Sequence, residues 1–262
     1  MPRFAANLSF LFTEVDLPER IDAAAEAGFE AVEILFPYDT PVPALRRRLE
    51  VTGLPLALIN APPPNYTGGT PGFAALPGGE ERFRHDFARV MRYAEALRPR
   101  HIHIMAGAAE GPEARATFLR NLAWAAGEAP EQSLTIEPIN PVDMPGYFLS
   151  DFELAAAIIA ELGAPNLGLQ FDAYHAHRIT GDVLGTWKRH RGLVRHVQIA
   201  DHPGRHEPGS GEIDFPAFFA RLDADGYAGF VSAEYRPAAT TEAGLGWLGA
   251  GRGDPSTRSL AS

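Results

Sequence analysis

The chain has 262 residues, 45% of them hydrophobic and 21% charged, a formal net charge of −10 and no cysteine. This globular composition excludes thiolate catalysis, cysteine-ligated zinc and iron–sulfur clusters. The acidic balance repels a phosphate backbone from the average surface, so no nucleic-acid partner is expected. No apolar run approaches the roughly 18 residues of a membrane span, and the start MPRFAANLSF reads as a strand rather than a targeting segment. A cytoplasmic location with no membrane partner is the expectation, and a homo-oligomer is compatible with it. One lysine, Lys188, lies in a helix-like stretch that reads as exposed, which argues against imine chemistry. The run Arg46 to Arg48 falls in a helical pattern and reads as a solvated face.

In chain order, short apolar runs alternate with longer segments of helical period, the pattern of repeated βα units around a parallel sheet. The expected strands are Phe4–Leu8, Ala31–Leu35, Pro55–Ile59, His101–Met105, Leu134–Ile136, Leu167–Phe171, Val194–Ile199 and Gly229–Ala233. Helices are expected over Leu17–Ala27, Val42–Val51, Glu80–Leu97, Ala114–Glu128, Asp151–Leu162, Asp182–His190 and Phe215–Asp225, with a weak one after Thr241. Gly28 and Gly163 mark helix ends ahead of strands. No G-x-G-x-x-G follows the first strand, so nothing favours a dinucleotide fold. Eight such units predict an α/β chain folded as one (β/α)₈ TIM barrel over residues 1–248, with 249–262 a flexible tail whose Arg-Gly-Asp triplet is chance. The Pro- and Gly-rich stretch from Ala61 to Gly79 is too long for a plain βα loop and reads as a lid over the site.

A barrel carries its active site at the C-terminal ends of its strands. There the fifth strand places Glu137, the sixth Asp172, the seventh Gln198 and the eighth Glu234. A buried carboxylate needs a partner, because desolvating it alone costs several kcal/mol. Three carboxylates and an amide converging with no lysine to neutralise them call for a divalent cation. All-oxygen ligation points to Mg²⁺ or Mn²⁺.

The segments RFAANLSFLF, GFEAVEILFPYD, ALPGGEERF, IEPIN…DMPGYFL, QFDAYHAHR, HVQIADHPGRHEPGSGEI and AEYRP…TTEAGLGW are collinear over about residues 3–248. In them the chain resembles the hydroxypyruvate isomerase family, a branch of the xylose-isomerase-like barrels. The opening MPRFAANLSFLFTEV and the segment HIMAG lean toward a sister group, the 2-oxo-tetronate isomerases, whereas IEPIN and MPGYFL lean toward hydroxypyruvate isomerase. The resemblance implies reversible conversion of hydroxypyruvate to tartronate semialdehyde. It implies Glu137 and Glu234 as the acid–base pair that also holds the metal, and Asp172 and Gln198 as the other ligands. Two carboxylates on opposite sides of a substrate can exchange acid and base roles as a carbonyl moves between adjacent carbons. A small hydroxy-oxo acid also calls for a cation, for which Arg205 is the candidate. His175, three residues past Asp172, is expected to reach a substrate oxygen, and Asn60 to line the pocket beside Glu33. His103 reads as a satisfied core histidine, while His177, Glu207 and Glu212 carry no assigned role.

Two other classes compete. A nuclease on a related barrel needs a basic face and further histidine and carboxylate ligands, against which the net charge and Gln198 both stand. A non-catalytic sugar-binding barrel has no use for two opposed carboxylates about a metal.

Overall fold

The computed structural model describes residues 1–61 and 72–250. Eight strands appear: β1 (Arg3–Asn7), β2 (Ala31–Glu33), β3 (Leu58–Asn60), β4 (His101–His103), β5 (Ser133–Ile136), β6 (Leu167–Asp172), β7 (Val194–Ile199) and β8 (Phe230–Ala233). The helices are α1 (Leu17–Glu26), α2 (Val42–Thr52), α3 (Glu80–Leu97), α4 (Gly111–Glu128), α5 (Phe152–Leu162), α6 (Ala173–Thr180), α7 (Val183–His190), α8 (Phe215–Ala224) and α9 (Gly246–Ala250). All strand pairs are parallel, in the order β2-β1-β8-β7-β6-β5-β4-β3. The two ends of that order meet. Ala57 N–H donates to the Val32 carbonyl at 2.7 Å and Asn60 N–H to that of Leu35 at 2.8 Å, closing the barrel. The (β/α)₈ expectation is met.

Local chemistry sets the boundaries. Asp151, Asp172, Asp182 and Asp214 each accept a backbone N–H from the first turn of the helix they precede, satisfying donors that have no partner within the helix. Gly28 and Gly163 take positive φ of 86° and 56° just past α1 and α5, a conformation that costs glycine nothing. Helix α6 was not expected from the sequence, because it is only eight residues long and follows β6 with no loop between them. Its signals are the caps, Asp172 before it and Gly181 after it. The weak helix after Thr241 resolves into a 3₁₀ turn, Glu242–Gly244, followed by α9.

Alternation along each strand separates the two faces of the barrel wall. One set, including Phe4, Val32, Ile59, Ile102, Leu134, Phe171, Val197 and Val231, packs with Ile21, Phe87, Phe118, Ile158, Trp187 and Phe218 of the helices in one large cluster. The opposite set has an apolar floor of Ala5, Ala31, Ala57 and Phe230 and above it a buried polar layer: Asn7, Glu33, Asn60, His103, Thr135, Gln170, His196, Gln198 and Ser232. A barrel interior of this kind must satisfy its own hydrogen bonds. Between β6 and β7 the register shifts at Leu169 and Gln170, which brings Asp172 level with Gln198; β7 in turn sets Gln198 opposite Ser232.

Of the expected lid, residues 62–71 lie outside the described residues. Its later part is seated on the barrel: Ala75 N–H donates to the Ala106 carbonyl at 2.8 Å, and Asn121 donates to that of Ala74 at 2.9 Å. Most of the expected tail, residues 251–262, also lies outside the described residues. No described helix is long and apolar enough to cross a membrane. Lys188 is exposed, as are Arg46 and Arg47.

Candidate active site

Strand ends bring the site together. Glu137 follows β5, Asp172 ends β6, Gln198 is the penultimate residue of β7 and Glu234 follows β8. All four are buried. Above them opens a cavity of about 470 Å³ whose wall includes Asn60, His103, Glu137, His175, Gln198, Arg205 and Glu234. Every site residue expected from the sequence therefore stands at this one place, with Asp172 packed against His175 and Arg205.

Beneath the cavity runs a continuous network. The Gln170 amide donates to Glu137 Oε2 at 3.0 Å and to Gln198 Oε1 at 2.7 Å, and Thr135 Oγ1 donates to Gln170 Oε1 at 3.1 Å. Gln198 Nε2 donates to Glu33 Oε1 at 2.6 Å, an oxygen that also accepts from Asn7 at 2.7 Å, while His196 meets Glu33 Oε2 at 2.6 Å. Glu33 is thus a buried anchor rather than part of the cavity wall. It holds Gln198 with its carbonyl oxygen turned toward Gln170. Gln170 was missed in the sequence, although it stands two residues before Asp172 on the same strand face.

Among the buried polar atoms without a hydrogen-bond partner are two carboxylate oxygens that face each other across the site, Glu137 Oε1 and Asp172 Oδ2. His175 Nε2 faces both, at 3.9 and 3.8 Å. Glu137, Asp172 and His175 place potential ligand atoms within 4.8 Å of one another, and the two carboxylates are the members with lone pairs open to a metal ion. An uncompensated pair of buried carboxylate oxygens fits a divalent cation, which would remove the desolvation cost. Burial, and then repulsion from Glu234 and Asp172, holds the Glu137 carboxyl well above the usual carboxylate range. Burial raises Glu234 as well, against the pull of Arg205.

The tautomer of His175 follows from its neighbours. Asn140 Oδ1 accepts from the backbone N–H groups of Val142 and Asp143 at 3.1 and 2.9 Å, which fixes that amide's orientation. Its Nδ2 then points at His175 Nδ1, 2.7 Å away, and Asn140 N–H faces the same nitrogen at 3.4 Å. Nδ1 is therefore the acceptor and Nε2 carries the proton. Burial lowers the His175 pKa to about 4, so the ring is neutral at pH 7. A neutral imidazole with its N–H aimed into the cavity is a hydrogen-bond donor. Asn140 was not singled out in the sequence, though it closes the IEPIN segment. His103 is less settled than a satisfied core histidine: Nδ1 meets Asn60 Oδ1 at 3.2 Å, and Nε2 has no partner.

Arg205 takes φ of 55°, which swings its side chain back over the strand ends. Its guanidinium donates to Glu234 Oε2 at 3.1 Å and lies 3.8 Å from Asp172 Oδ2, between the rings of Phe10 and Tyr174 at 5.5 and 5.2 Å. Burial opposes its charge, but Glu234, Asp172 and Glu137 outweigh that and raise its pKa. Arg236 also lines the cavity and lies over Phe10 from further out.

The model of the xylose isomerase-like TIM barrel matches residues 21–250. The chain is 48% identical over 254 residues to a 2-oxo-tetronate isomerase of Cupriavidus necator, covering 95% of this chain and 98% of that one. It is 39% identical over 254 residues to the hydroxypyruvate isomerase of Escherichia coli, with the same coverage. A solved structure from Brucella melitensis, named AP endonuclease, family 2, superposes with a TM-score of 0.92 at 41% identity, covering 95% of this chain and 99% of that one. The chain belongs to the xylose isomerase-like TIM barrel family, in the group whose named members include hydroxypyruvate isomerase and 2-oxo-tetronate isomerase.

Proposed function

We propose that this protein is a metal-dependent isomerase that moves a carbonyl between adjacent carbons of a small hydroxy-oxo acid, hydroxypyruvate being the first candidate and a four-carbon 2-oxo-tetronate the second. The observation that carries the reading is the pairing of Glu137 and Glu234, two buried carboxyls with raised pKa at one cavity, beside the unpartnered oxygens of Glu137 and Asp172. A cation held by Glu137, Asp172, Gln198 and Glu234 would polarise the substrate's oxygens and favour the enediolate. The largely oxygen donor set favours Mg²⁺ or Mn²⁺.

The protein's own groups do the rest. One glutamate takes a proton from the hydroxyl-bearing carbon next to the carbonyl and the other delivers one to the carbonyl carbon. The hydroxyl proton passes to the former carbonyl oxygen, so the formula is unchanged and the two glutamates exchange roles in the reverse direction. His175 Nε2–H donates to a substrate oxygen. Arg205 and Arg236 meet the substrate's carboxylate, and Phe10 and Ile139 on the cavity wall exclude water.

The name of the Brucella melitensis structure raises an endonuclease reading. Against it stand a net charge of −10 and a cavity of about 470 Å³, the size of a small-molecule site. The test is to assay the protein, loaded with Mn²⁺ or Mg²⁺, on hydroxypyruvate and on the four-carbon acid in deuterium oxide, following both product and deuterium at the reacting carbons. Product formation with either acid, abolished by a chelator, is expected. No turnover of either acid, together with retention on DNA at low salt, would overturn the reading.

A further inference from the structure

Outside the cavity, a second group of metal-binding side chains stands at the barrel rim, and nothing in the proposed reaction uses it. His177 projects from α6, while His202 and Glu212 lie in the loop between β7 and α8. Their ligand atoms fall within 4.8 Å of one another. Glu212 Oε2 is 3.2 Å from His202 Nδ1 and 3.6 Å from His177 Nε2, and the two rings stand 4.8 Å apart between centroids. Two atoms each about 2.1 Å from a tetrahedral zinc ion stand about 3.4 Å apart. The two distances to Glu212 bracket that value, and 3.6 Å is too long for a hydrogen bond. The side chains of His177 and His202 are 21% and 24% exposed and that of Glu212 is 63% exposed, so an ion can reach them from solvent.

The loop is built to hold this pair. Asp201 is fully buried and its carboxylate accepts four backbone N–H groups: His202 at 2.9 Å and Ile213 at 3.0 Å on Oδ1, Gly209 and Gly211 at 2.9 Å each on Oδ2. Glu212 N–H donates to the His202 carbonyl at 2.9 Å, which sets the two ligands side by side. A Cβ at Gly211 would lie 1.8 Å from that same carbonyl oxygen, so only glycine permits the approach. The backbone of the pair is thus fixed, which lowers the cost of bringing the two side chains together on an ion. Tyr174 connects this rim to the cavity, its ring lying 6.3 Å from that of His202 and 5.2 Å from the Arg205 guanidinium.

We propose that His177, His202 and Glu212 form a second metal site, selective for a zinc-class cation (Zn²⁺, Co²⁺ or Ni²⁺), with a fourth position open to water. Two imidazoles and one carboxylate suit that class, whereas the oxygen-rich set in the barrel suits Mg²⁺ or Mn²⁺. A cation there ties α6, which carries His175, to the loop that carries Arg205.

The test is to titrate the chelator-treated full chain with Co²⁺, following its visible absorption bands and the bound stoichiometry. Wild type, Glu212→Gln and a His177→Ala, His202→Ala double variant are compared, each checked for unchanged far-UV circular dichroism. Glu212→Gln alters one exposed side chain and leaves the loop's backbone anchor in place. Wild type is expected to bind one more equivalent at micromolar cobalt than either variant. Glu137→Gln should keep the cobalt spectrum that the rim variants lose, and excess Mg²⁺ should leave it unchanged. Equal stoichiometry and spectra in wild type and rim variants would overturn the proposal, as would displacement of the rim cobalt by Mg²⁺.

Discussion

Glu137 and Glu234 are buried at one cavity with their pKa values pushed upward. Replacing either by Gln keeps the shape and removes the proton carrier, so kcat is expected to fall by about 10²–10⁴-fold with the fold retained. Steady-state kinetics beside a thermal melt check this. Asn140 acts one step back, as a positioning residue. In Asn140→Asp the oxygen serving Val142 and Asp143 remains, but a carboxylate oxygen now faces His175 Nδ1. The ring proton should move to Nδ1 and leave Nε2 an acceptor, with kcat falling about 10–100-fold. Nitrogen NMR of the imidazole reads the tautomer directly, and an unchanged tautomer would refute the assignment. Glu137, Asp172 and Glu234 were legible because each is a carboxylate at the end of an apolar strand. Gln170 and Asn140 were not, because an amide in a strand or loop has many uses until its neighbours are known.

At the scale of the element, the loop between β7 and α8 depends on one side chain. Asp201 gathers four backbone N–H groups, of which that of Ile213 is buried. Asp201→Ala should therefore cost about 2–4 kcal/mol, measurable by urea unfolding. The same variant should weaken substrate binding through Arg205, whose φ of 55° this loop sustains. Helix α6 shows where reading by periodicity fails. Its caps, Asp172 and Gly181, are ordinary signals, yet Asp172 also ends a strand. Strand and helix share that residue, with no loop between them to announce the change of period.

For the molecule as a whole, the polar barrel interior makes stability depend on pH. Burial, reinforced by His196, lowers the His101 pKa to about 3. The unfolded chain takes up a proton near pH 6.5 that the folded chain refuses. The stability from this group is therefore complete above about pH 6.5 and is lost as pH falls toward 3. Between pH 6 and pH 4, wild type should lose up to about 1.4 kcal/mol per pH unit more than His101→Asn. Urea midpoints at several pH values test this, and parallel slopes would refute it. His101 stands at the start of β4, and the difference between the two proteins isolates it from the carboxyls at the other end of the barrel. A chelator should act at those carboxyls. If the proposed cation site is there, adding Mn²⁺ at about 100 times its dissociation constant is expected to add about 2.7 kcal/mol of stability, and an unchanged Tm would count against the site.

The sequence by itself determined the barrel and the ring of strand-end residues. Alternating apolar runs, helical periods and capping residues are local properties that can be read along the chain. It could not determine which polar groups meet across the barrel. Glu33 from β2 anchors Gln198 from β7, and Asn140 sets the proton of His175, through distances that exist only once the sheet has closed. The rim cluster is of the same kind: His177, His202 and Glu212 are spread over 36 positions of the chain, from 177 to 212. Asp201 and Gly211 set His202 beside Glu212 because a buried carboxylate must find its donors, and the packing of α6 against that loop adds His177.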